Sequence, residues 1–161
     1  MKVKQISVTP RNNKTGFIAN NFEDLETNMT VEDIKNRICV SLAGRIAQIK
    51  KYGSIVGMDM EGSPDLQHAI NDAYMAIAHY GMDNEVRYFN IKGSNQKTSD
   101  TNERQHSDQK IDDAVERWMT EAELKTIKLV DDNWDKIERL STLLLDKEIM
   151  YEDELREIEN I

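Results

Sequence analysis

The sequence predicts a mainly α-helical protein with a small β-hairpin at its N-terminus. From residue 30 onwards, apolar side chains recur three or four positions apart in several separate stretches, which is the period of amphipathic helices. Before that point, two short apolar runs flank a polar turn, a pattern typical of paired strands. A chain of 161 residues is long enough to bury one core. We therefore predict a single domain over residues 1–161.

The hairpin is predicted over residues 1–20. Its first strand carries Val3, Ile6 and Val8 and ends before Pro10, and its second strand follows the polar turn. Proline cannot donate a hydrogen bond to a strand ladder, so it marks the end of the first strand.

Two helices are predicted between residues 30 and 81. Thr30 can cap the first helix with its hydroxyl group, and this helix should run to about Lys51. Pro64 suits the first turn of the second helix, which should end at Gly81. Two sets of apolar residues recur with helical spacing: Ile34, Ile38, Leu42, Ile46 and Ile49 in the first helix, which should form one stripe facing a core, and Leu66, Ala69, Ile70, Ala73, Ile77 and Tyr80 in the second.

The second half of the sequence predicts a loop followed by helices. Residues 92–110 are polar, charged or glycine, and we expect them to form a mobile loop. Helical periodicity resumes over residues 111–159, with a break at residues 131–133, a fourth helix whose apolar stripe reaches Ile149, and a short last helix. Two tryptophans on these helical stripes are expected to pack as core residues: Trp118 and Trp134.

The composition excludes several classes of function. A formal net charge of -9 disfavours nucleic acid and anionic membranes as partners, because both are bound through clustered Lys and Arg. The single cysteine, Cys39, cannot form an intramolecular disulfide, and no apolar run approaches the roughly 20 residues of a membrane helix. We expect a cytoplasmic protein with no membrane segment.

Two segments in the first 50 residues carry a recognisable pattern. The first strand ends in Ile6-Ser7-Val8-Thr9-Pro10-Arg11, which is followed by Thr15-Gly16-Phe17. The next helix contains Arg37-Ile38 and then Leu42-Ala43-Gly44-Arg45-Ile46-Ala47. These segments resemble the strand that follows the catalytic helix, and then the arginine-containing helix, of the peptidase domain of FtsH-type ATP-dependent zinc proteases.

The resemblance continues along the rest of the chain. Residues Ser63–Ala69 are similar to the family's asparagine-aspartate-leucine segment, and Tyr80-Gly81-Met82 ends the same helix as the family's tyrosine-glycine-methionine does. Residues 111–145 resemble its C-terminal helical pair. The order of the matches, from Lys2 to about Ile158, implies a helical FtsH-peptidase-like domain with a small N-terminal β-hairpin.

The resemblance also implies a zinc site that these 161 residues do not complete. In the family, zinc is held by the two histidines of a His-Glu-x-x-His helix and by a distant aspartate, and Asp65 matches that third ligand. The motif helix lies upstream of the proline-arginine strand, where this sequence begins. The three histidines present, none of them four apart, are His68, His79 and His106. We therefore expect no cofactor in this chain, although zinc is expected in the family.

Two other candidate sites are weaker. Asp65 and His68 share a helical face and could recruit a metal together with Glu61, but such pairs are common on hydrated surfaces and lack a preorganised third ligand. We expect Asp65 to be an acid at a helix N-terminus that is either exposed or hydrogen-bonded to the free N–H groups of the helix. The glycine spacing of residues 57–63 resembles a phosphate loop, but Ser63 stands where a lysine is required, so we reject nucleotide binding.

The preferred interpretation is a catalytically incompetent, peptidase-like module that acts as a scaffold or binding module. The alternative is a fragment of, or a site-completing partner in, an active ATP-dependent zinc metalloendopeptidase. Without the motif helix, the first long helix and the hairpin should expose an uncovered front face, which favours self-association or a protein partner. An extended peptide is a further expected partner, at the hairpin edge around Ile6 and Val8.

Overall fold

The computed structural model describes residues 3–9, 17–20, 28–55, 65–86 and 101–159. The strands are β1 (Val3–Ser7), β2 (Phe17–Asn20) and β3 (Ile149–Tyr151). The helices are α1 (Val31–Tyr52), α2 (Asp65–Tyr74, continued by a π-helical turn over Met75–His79), α3 (Thr101–Asp132), α4 (Trp134–Lys147) and α5 (Glu152–Glu159). A mainly α-helical fold with a small N-terminal hairpin is therefore confirmed.

The chain divides into two compact units. Unit 1 combines residues 1–28 with residues 131–161, and unit 2 comprises residues 29–130. Unit 1 contains the strands together with α4 and α5, whereas unit 2 contains α1, α2 and nearly all of α3. The single domain over residues 1–161 stays a prediction.

Unit 1 is built on a three-stranded antiparallel sheet in which β1 lies between β2 and β3. The pair β1 and β2 is the predicted hairpin, with Ile6 opposite Ile18 and a bulge between Val3 and Gln5. On its other side β1 pairs with β3, where Ile6 lies opposite Met150. Met150 is only 1% exposed, so this strand forms part of the core of the unit.

The third strand corrects two predictions. Ile149 does not continue the fourth helix but begins β3, because α4 stops at Lys147 and Glu148 adopts a left-handed φ of 61°. The predicted exposed edge at Ile6 and Val8 is also wrong. β1 is paired on both sides, and the N–H of Val8 donates to the carbonyl of Glu148 at 3.0 Å.

The first helix of unit 2 begins and ends where its sequence signals predicted. Thr30 and Asp33 form a reciprocal capping box, in which the Thr30 hydroxyl accepts from the Asp33 N–H at 3.2 Å and the Asp33 carboxylate accepts from the Thr30 N–H at 2.8 Å. At the other end, Gly53 has φ 74° and donates its N–H to the Ile49 carbonyl. Glycine adopts this left-handed conformation without steric cost.

α1 packs against α2 through a large-against-small interface. The buried side chains of α1 are Ile38, Cys39, Leu42 and Ile46, and those of α2 and its π-turn are Ala69, Ala73, Ala76, Ile77 and Ala78. Small side chains allow two helices to approach closely, which is why an alanine-rich stripe can bury the branched residues of α1. At the border of this interface, the Arg37 guanidinium contacts both carboxylate oxygens of Asp72.

The third helix starts earlier than the periodicity indicates. Residues 101–110, which fall in the predicted loop, are helical, while residues 92–100 lie outside the described part of the chain. A polar helix of this kind is supported by side-chain pairs one turn apart, such as Gln109 and Asp113, whose amide and carboxylate are 2.8 Å apart. The apolar stripe begins only at Ile111, so periodicity alone could not place the helix start.

The buried face of α3 includes Ile111, Ala114, Trp118, Ala122, Thr126 and Val130. The core role predicted for Trp118 is confirmed, because its side chain is 3% exposed. Thr126 is buried as well, and its hydroxyl donates to the carbonyl of Ala122 one turn earlier at 2.7 Å. In unit 1, Trp134 on α4 is only half-buried.

A buried carboxylate joins the end of α2 to α3. Asp83 follows Gly81 (φ 60°), and its Oδ1 accepts from the N–H groups of Glu85 at 2.8 Å and of Val86 at 3.2 Å. Its Oδ2 accepts from the guanidinium of Arg117 at 2.6 Å and from the indole N–H of Trp118 at 2.8 Å. Asp83 is 4% exposed, so these four donors replace the water that it loses on folding.

Hydrogen bonds to Asp83 also determine the charge state of its carboxyl group. Burial, the largest single influence, raises the pKa of Asp83 because it disfavours the charged carboxylate. The hydrogen bonds from Arg117, the Glu85 backbone and Trp118 together outweigh that influence, and the pKa of Asp83 lies below its ordinary value of 3.8. The carboxylate is therefore ionised at neutral pH.

Replacing Asp83 by alanine should destabilise the protein by about 1–3 kcal/mol, because it leaves the buried indole N–H of Trp118 without its acceptor. Glu85→Ala is the matched control, since Glu85 contacts the same Arg117 at 2.5 Å but is exposed, and it should cost less than about 1 kcal/mol. Urea unfolding followed by tryptophan fluorescence measures both. Equal losses for the two variants would contradict the central role of Asp83.

Asp83 should also make stability depend on pH. Its pKa is lower in the folded state than in the unfolded state, so its contribution is complete above the unfolded value of 3.8 and is lost as the pH falls through the folded value. Between about pH 5 and pH 3, Asp83→Asn should therefore lose less stability than the wild type. Urea midpoints measured across this range test the prediction, and parallel profiles for the two proteins would refute it.

Candidate metal centre

Asp65, the position that matches a zinc ligand, is the first residue of α2 and is exposed, as predicted from the sequence. A carboxylate in the first turn of a helix lies near free N–H groups and the positive end of the helix dipole, which stabilises it without a metal. An acid in the first turn of a helix is thus favourable at this position without a metal ion.

Among the residues whose side chains the structure describes, no cluster of metal-binding groups forms around Asp65. His68 lies three residues further along α2 and is exposed, while Glu61 lies outside the described residues. His79 is in the π-turn, where its ring packs edge-on against Tyr74 with 6.0 Å between ring centroids. His106 belongs to the N-terminal part of α3, whose side chains are outside the described set.

The donor set as described does not fit a catalytic zinc ion. Such a site needs three protein ligands and one open position, and the described residues contain no group of three His, Cys, Asp or Glu side chains placed to hold a metal. Asp72, the next acid along α2, is occupied by the guanidinium of Arg37. Cys39 is buried, and its sulfur lies 3.7 Å from the carbonyl of Ala122.

The charged groups that do converge in unit 2 link α1 to α3 rather than form a site. Lys35 contacts Glu121 at 2.7 Å, and its ammonium lies 4.9 Å from the centre of the Trp118 ring. Lys125 bridges Glu32 at 2.8 Å and the side chain of Asn36 at 2.9 Å. The hydrogen bond from Lys125 is the main reason that the pKa of Glu32 is lowered.

The contacts of Lys35, Lys125 and Asp83 were not predicted from the sequence. Only those of Asp83 have a signal in the neighbouring sequence. Asp83 comes two residues after the helix-ending Gly81, and an aspartate at such a place often accepts hydrogen bonds from the next N–H groups. The partners of Lys35 and Lys125 lie on other helices, so nothing in their own surroundings in the sequence could identify them.

In a comparison with known families, the chain matches Peptidase family M41 over residues 1–158. The chain belongs to this family. Two curated relatives are the ATP-dependent zinc metalloprotease FtsH of Rhodothermus marinus, 27% identical over 160 residues, and FTSH 8, mitochondrial, of Oryza sativa subsp. japonica, 25% identical over 154 residues. The M41 match confirms the family resemblance found in the sequence.

The M41 relatives are much longer than this chain. The two alignments cover 97% and 94% of this chain but only 22% and 18% of the respective relatives. The mouse m-AAA protease component AFG3L2, 24% identical, is likewise covered over 19% of its length. The chain thus spans about a fifth of the relatives that it matches. In the part of the chain that the structure describes, no helix is long and apolar enough to cross a membrane.

Zinc should not stabilise this M41 chain through Asp65. A ligand that binds the folded state raises stability by RT ln(1 + [L]/Kd), so a tight site would raise the melting temperature as zinc is added. We expect the same zinc response, within error, for wild type and for the double variant Asp65→Asn, His68→Gln. Differential scanning fluorimetry with and without zinc makes the comparison. A stabilisation that the wild type shows and the double variant lacks would establish a metal site at these residues.

Proposed function

We propose that this chain is a peptidase-like module of the M41 family that does not hydrolyse peptides by itself and acts as a scaffold or binding module. The proposal rests on one observation, which is that the family match covers nearly the whole chain although only one residue matches a zinc ligand of the family. The family match covers residues 1–158, yet the one matching zinc ligand is Asp65, which stands exposed at the start of α2.

Two things that zinc-dependent hydrolysis needs are missing from these 161 residues: a complete set of zinc ligands and a general base. Zinc-dependent hydrolysis needs ligands that leave one position for water, together with a carboxylate that removes the proton from that water. In this family the resemblance assigns both roles to His-Glu-x-x-His, and the 161 residues contain no two histidines four apart. Asp65 alone supplies neither a closed ligand set nor a base.

A scaffold role is supported by how unit 2 is held together. Its helices are tied by the buried Asp83 carboxylate, by the Arg37 and Asp72 pair, and by Lys125 bridging α3 to α1. None of these hydrogen bonds and ion pairs requires a metal ion. A module built in this way can keep its shape without a metal ion.

Exposed apolar side chains support a binding role. On α1, Val40 is 61% exposed, and the next position one turn along is Gly44, whose missing side chain leaves open space. On the hairpin, Ile18 of β2 is 60% exposed. A protein partner or a second copy of this chain would bury such surfaces. Because β1 is central in its sheet, an extended peptide would have to pair along β2 or β3.

The alternative is that the chain belongs to an active ATP-dependent zinc metalloendopeptidase, as a fragment or as a partner that completes the site. Two observations favour it: the chain spans only about a fifth of its relatives, and Asp65 is exposed where another helix could approach. Zinc would then bind only when that other segment is present. A cytoplasmic location stays a prediction under either proposal.

The purified chain, offered excess zinc, should hydrolyse casein no faster than a protein-free control and should retain less than one zinc per chain after desalting. Elemental analysis and release of labelled peptides give the two readouts. Stoichiometric zinc together with hydrolysis that o-phenanthroline stops would overturn the proposal.

Addition of a polypeptide that carries the family's His-Glu-x-x-His helix separates the two interpretations. Under the alternative, hydrolysis appears with the wild-type chain and is lost with Asp65→Ala, whereas the neighbouring exposed substitution Gln67→Ala leaves it intact. Under the preferred proposal, none of the three mixtures is active.

A further inference from the structure

We propose that the outward face of α1 binds the same face of a second copy of this chain, with the two helices antiparallel. The proposal rests on the binding role proposed above for exposed apolar surfaces and makes that role specific. It does not depend on whether the chain binds zinc. The residues of this face are spaced alternately four and three positions apart: Asp33, Arg37, Val40, Gly44, Ala47 and Lys51.

The outward face lies on the side of α1 away from the core. Alternate steps of four and three positions keep residues on one narrow stripe of a helix, as in a coiled coil. The buried residues of α1, which include Ile38, Leu42 and Ile46, lie on the opposite side. At the centre of the stripe, Val40 is 61% exposed and Gly44 is exposed as well. A helix of a partner can therefore lie along this face.

Gly44 indicates that the partner approaches closely. Glycine disfavours the interior of a helix relative to alanine, and the backbone of Gly44 has no positive φ that would require it. A Cβ atom at this position would meet no heavy atom within 4 Å among the described residues. Neither the backbone conformation nor the described packing of unit 2 explains the glycine. A helix packed tightly against this position does explain it, because glycine permits close approach.

The position that complements Gly44 is on the same face. When a two-fold axis passes level with Leu42, Val40 of one copy lies level with Gly44 of the other, because each is two residues from the axis. The side chain of Val40 then fills the space above Gly44 as a knob fills a hole, and the symmetry repeats this contact. The same register places Arg37 beside Ala47, and the Arg37 guanidinium keeps its own partner, Asp72.

The charges at the two ends of the face favour the same antiparallel register. It brings Asp33 of each copy opposite Lys51 of the other. Hydrogen bonds from Thr30 lower the pKa of Asp33, so its carboxylate is ionised at neutral pH. Both Thr30 groups donate to Oδ2, which leaves Oδ1 able to accept from a lysine. Such exposed ion pairs contribute little affinity, but they determine orientation.

The parallel arrangement of two copies is disfavoured by the same charges. It would bring Asp33 against Asp33 and Lys51 against Lys51, and it would place Val40 against Val40 rather than over Gly44. Shape and charge thus both select an antiparallel second copy as the occupant of this face.

Carbodiimide cross-linking of the wild-type chain tests this register directly. The reagent joins a carboxylate to an amine when the two are in contact. Asp33 and Lys51 lie at opposite ends of α1, about 27 Å apart along its axis, so a cross-link between them can form only between two copies. Mass spectrometry of a mixture of isotope-labelled and unlabelled chains should find the mixed peptide pair that joins these two residues.

One pair of variants tests the central contact. Gly44→Ala adds a methyl group where Val40 of the second copy would pack. Arg45→Ala is the control, because Arg45 is exposed and its side chain points about 100° away from the stripe. Sedimentation velocity from about 1 μM to about 1 mM measures dimer formation, and circular dichroism confirms the fold.

A second pair of variants tests the charges. Lys51→Glu places an acid opposite Asp33 of the other copy. Lys50→Glu is the matched control, because it makes the same change in the same last turn of α1 but points about 100° away from the stripe. Both variants lose the same favourable interaction with the helix dipole, so only the contact with the second copy distinguishes them.

The wild type and the two control variants should dimerise equally. Gly44→Ala should raise the Kd of the dimer about 10-fold or more because of overpacking, and Lys51→Glu should raise it about 3- to 10-fold. At about 1 μM, where the chain is monomeric, Gly44→Ala should unfold at a higher urea concentration than wild type, because alanine favours the helix. A weaker dimer from a more stable monomer cannot be attributed to misfolding.

Three outcomes would overturn the proposal: a monomer at all concentrations, a dimer without the cross-link between Asp33 and Lys51, or a Gly44→Ala dimer as tight as that of wild type. None of them bears on the proposed absence of hydrolysis, which is measured separately by zinc content and casein cleavage.

Discussion

The carboxylate of Asp83 is the point on which unit 2 depends. It lies beyond the C-terminal end of α2 and receives two backbone N–H groups on one oxygen and the side chains of Arg117 and Trp118 on the other. The first pair of donors shapes the turn after α2, and the second pair fixes that turn to α3. Trp118 in turn lies beneath the ammonium of Lys35 from α1. One buried charge thus connects the three helices of the unit.

The elements with local signals were predictable from sequence, and those that depend on distant partners were not. The capping residue Thr30 and the terminal Gly53 place α1 because cap geometry is set within a few residues. β3 was missed because three residues are too few for a pattern, and its existence depends on pairing with β1 from the other end of the chain. The early start of α3 was missed because its first turns carry no apolar stripe.

The candidate metal site also combines features that the sequence predicted with features that it could not predict. Its location on α2 came from a family resemblance, and the exposure of Asp65 followed from the helix N-terminus that it occupies. The ion pair between Arg37 and Asp72 was not predictable, because the two residues are on different helices and their spacing in sequence has no periodic meaning. Family membership and catalytic capacity depend on different features of a protein, since a fold depends on helix packing and the chemistry depends on a few metal ligands and a base.

The π-helical turn at Met75–His79 constrains how this chain can change length during evolution. Its hydrogen bonds run five residues back, as from the N–H of Tyr80 to the carbonyl of Met75, so the turn contains one residue more than an α-helix would. Deletion of the extra residue here would convert the turn to regular helix and keep the phase of the residues that follow, whereas deletion of a residue from the regular part of α2 would rotate everything that follows by about 100°. A deletion of the second kind would turn Asp83 away from Trp118. Homologues that keep this buried carboxylate should therefore accept insertions and deletions in α2 only when they also preserve the phase of its C-terminal end.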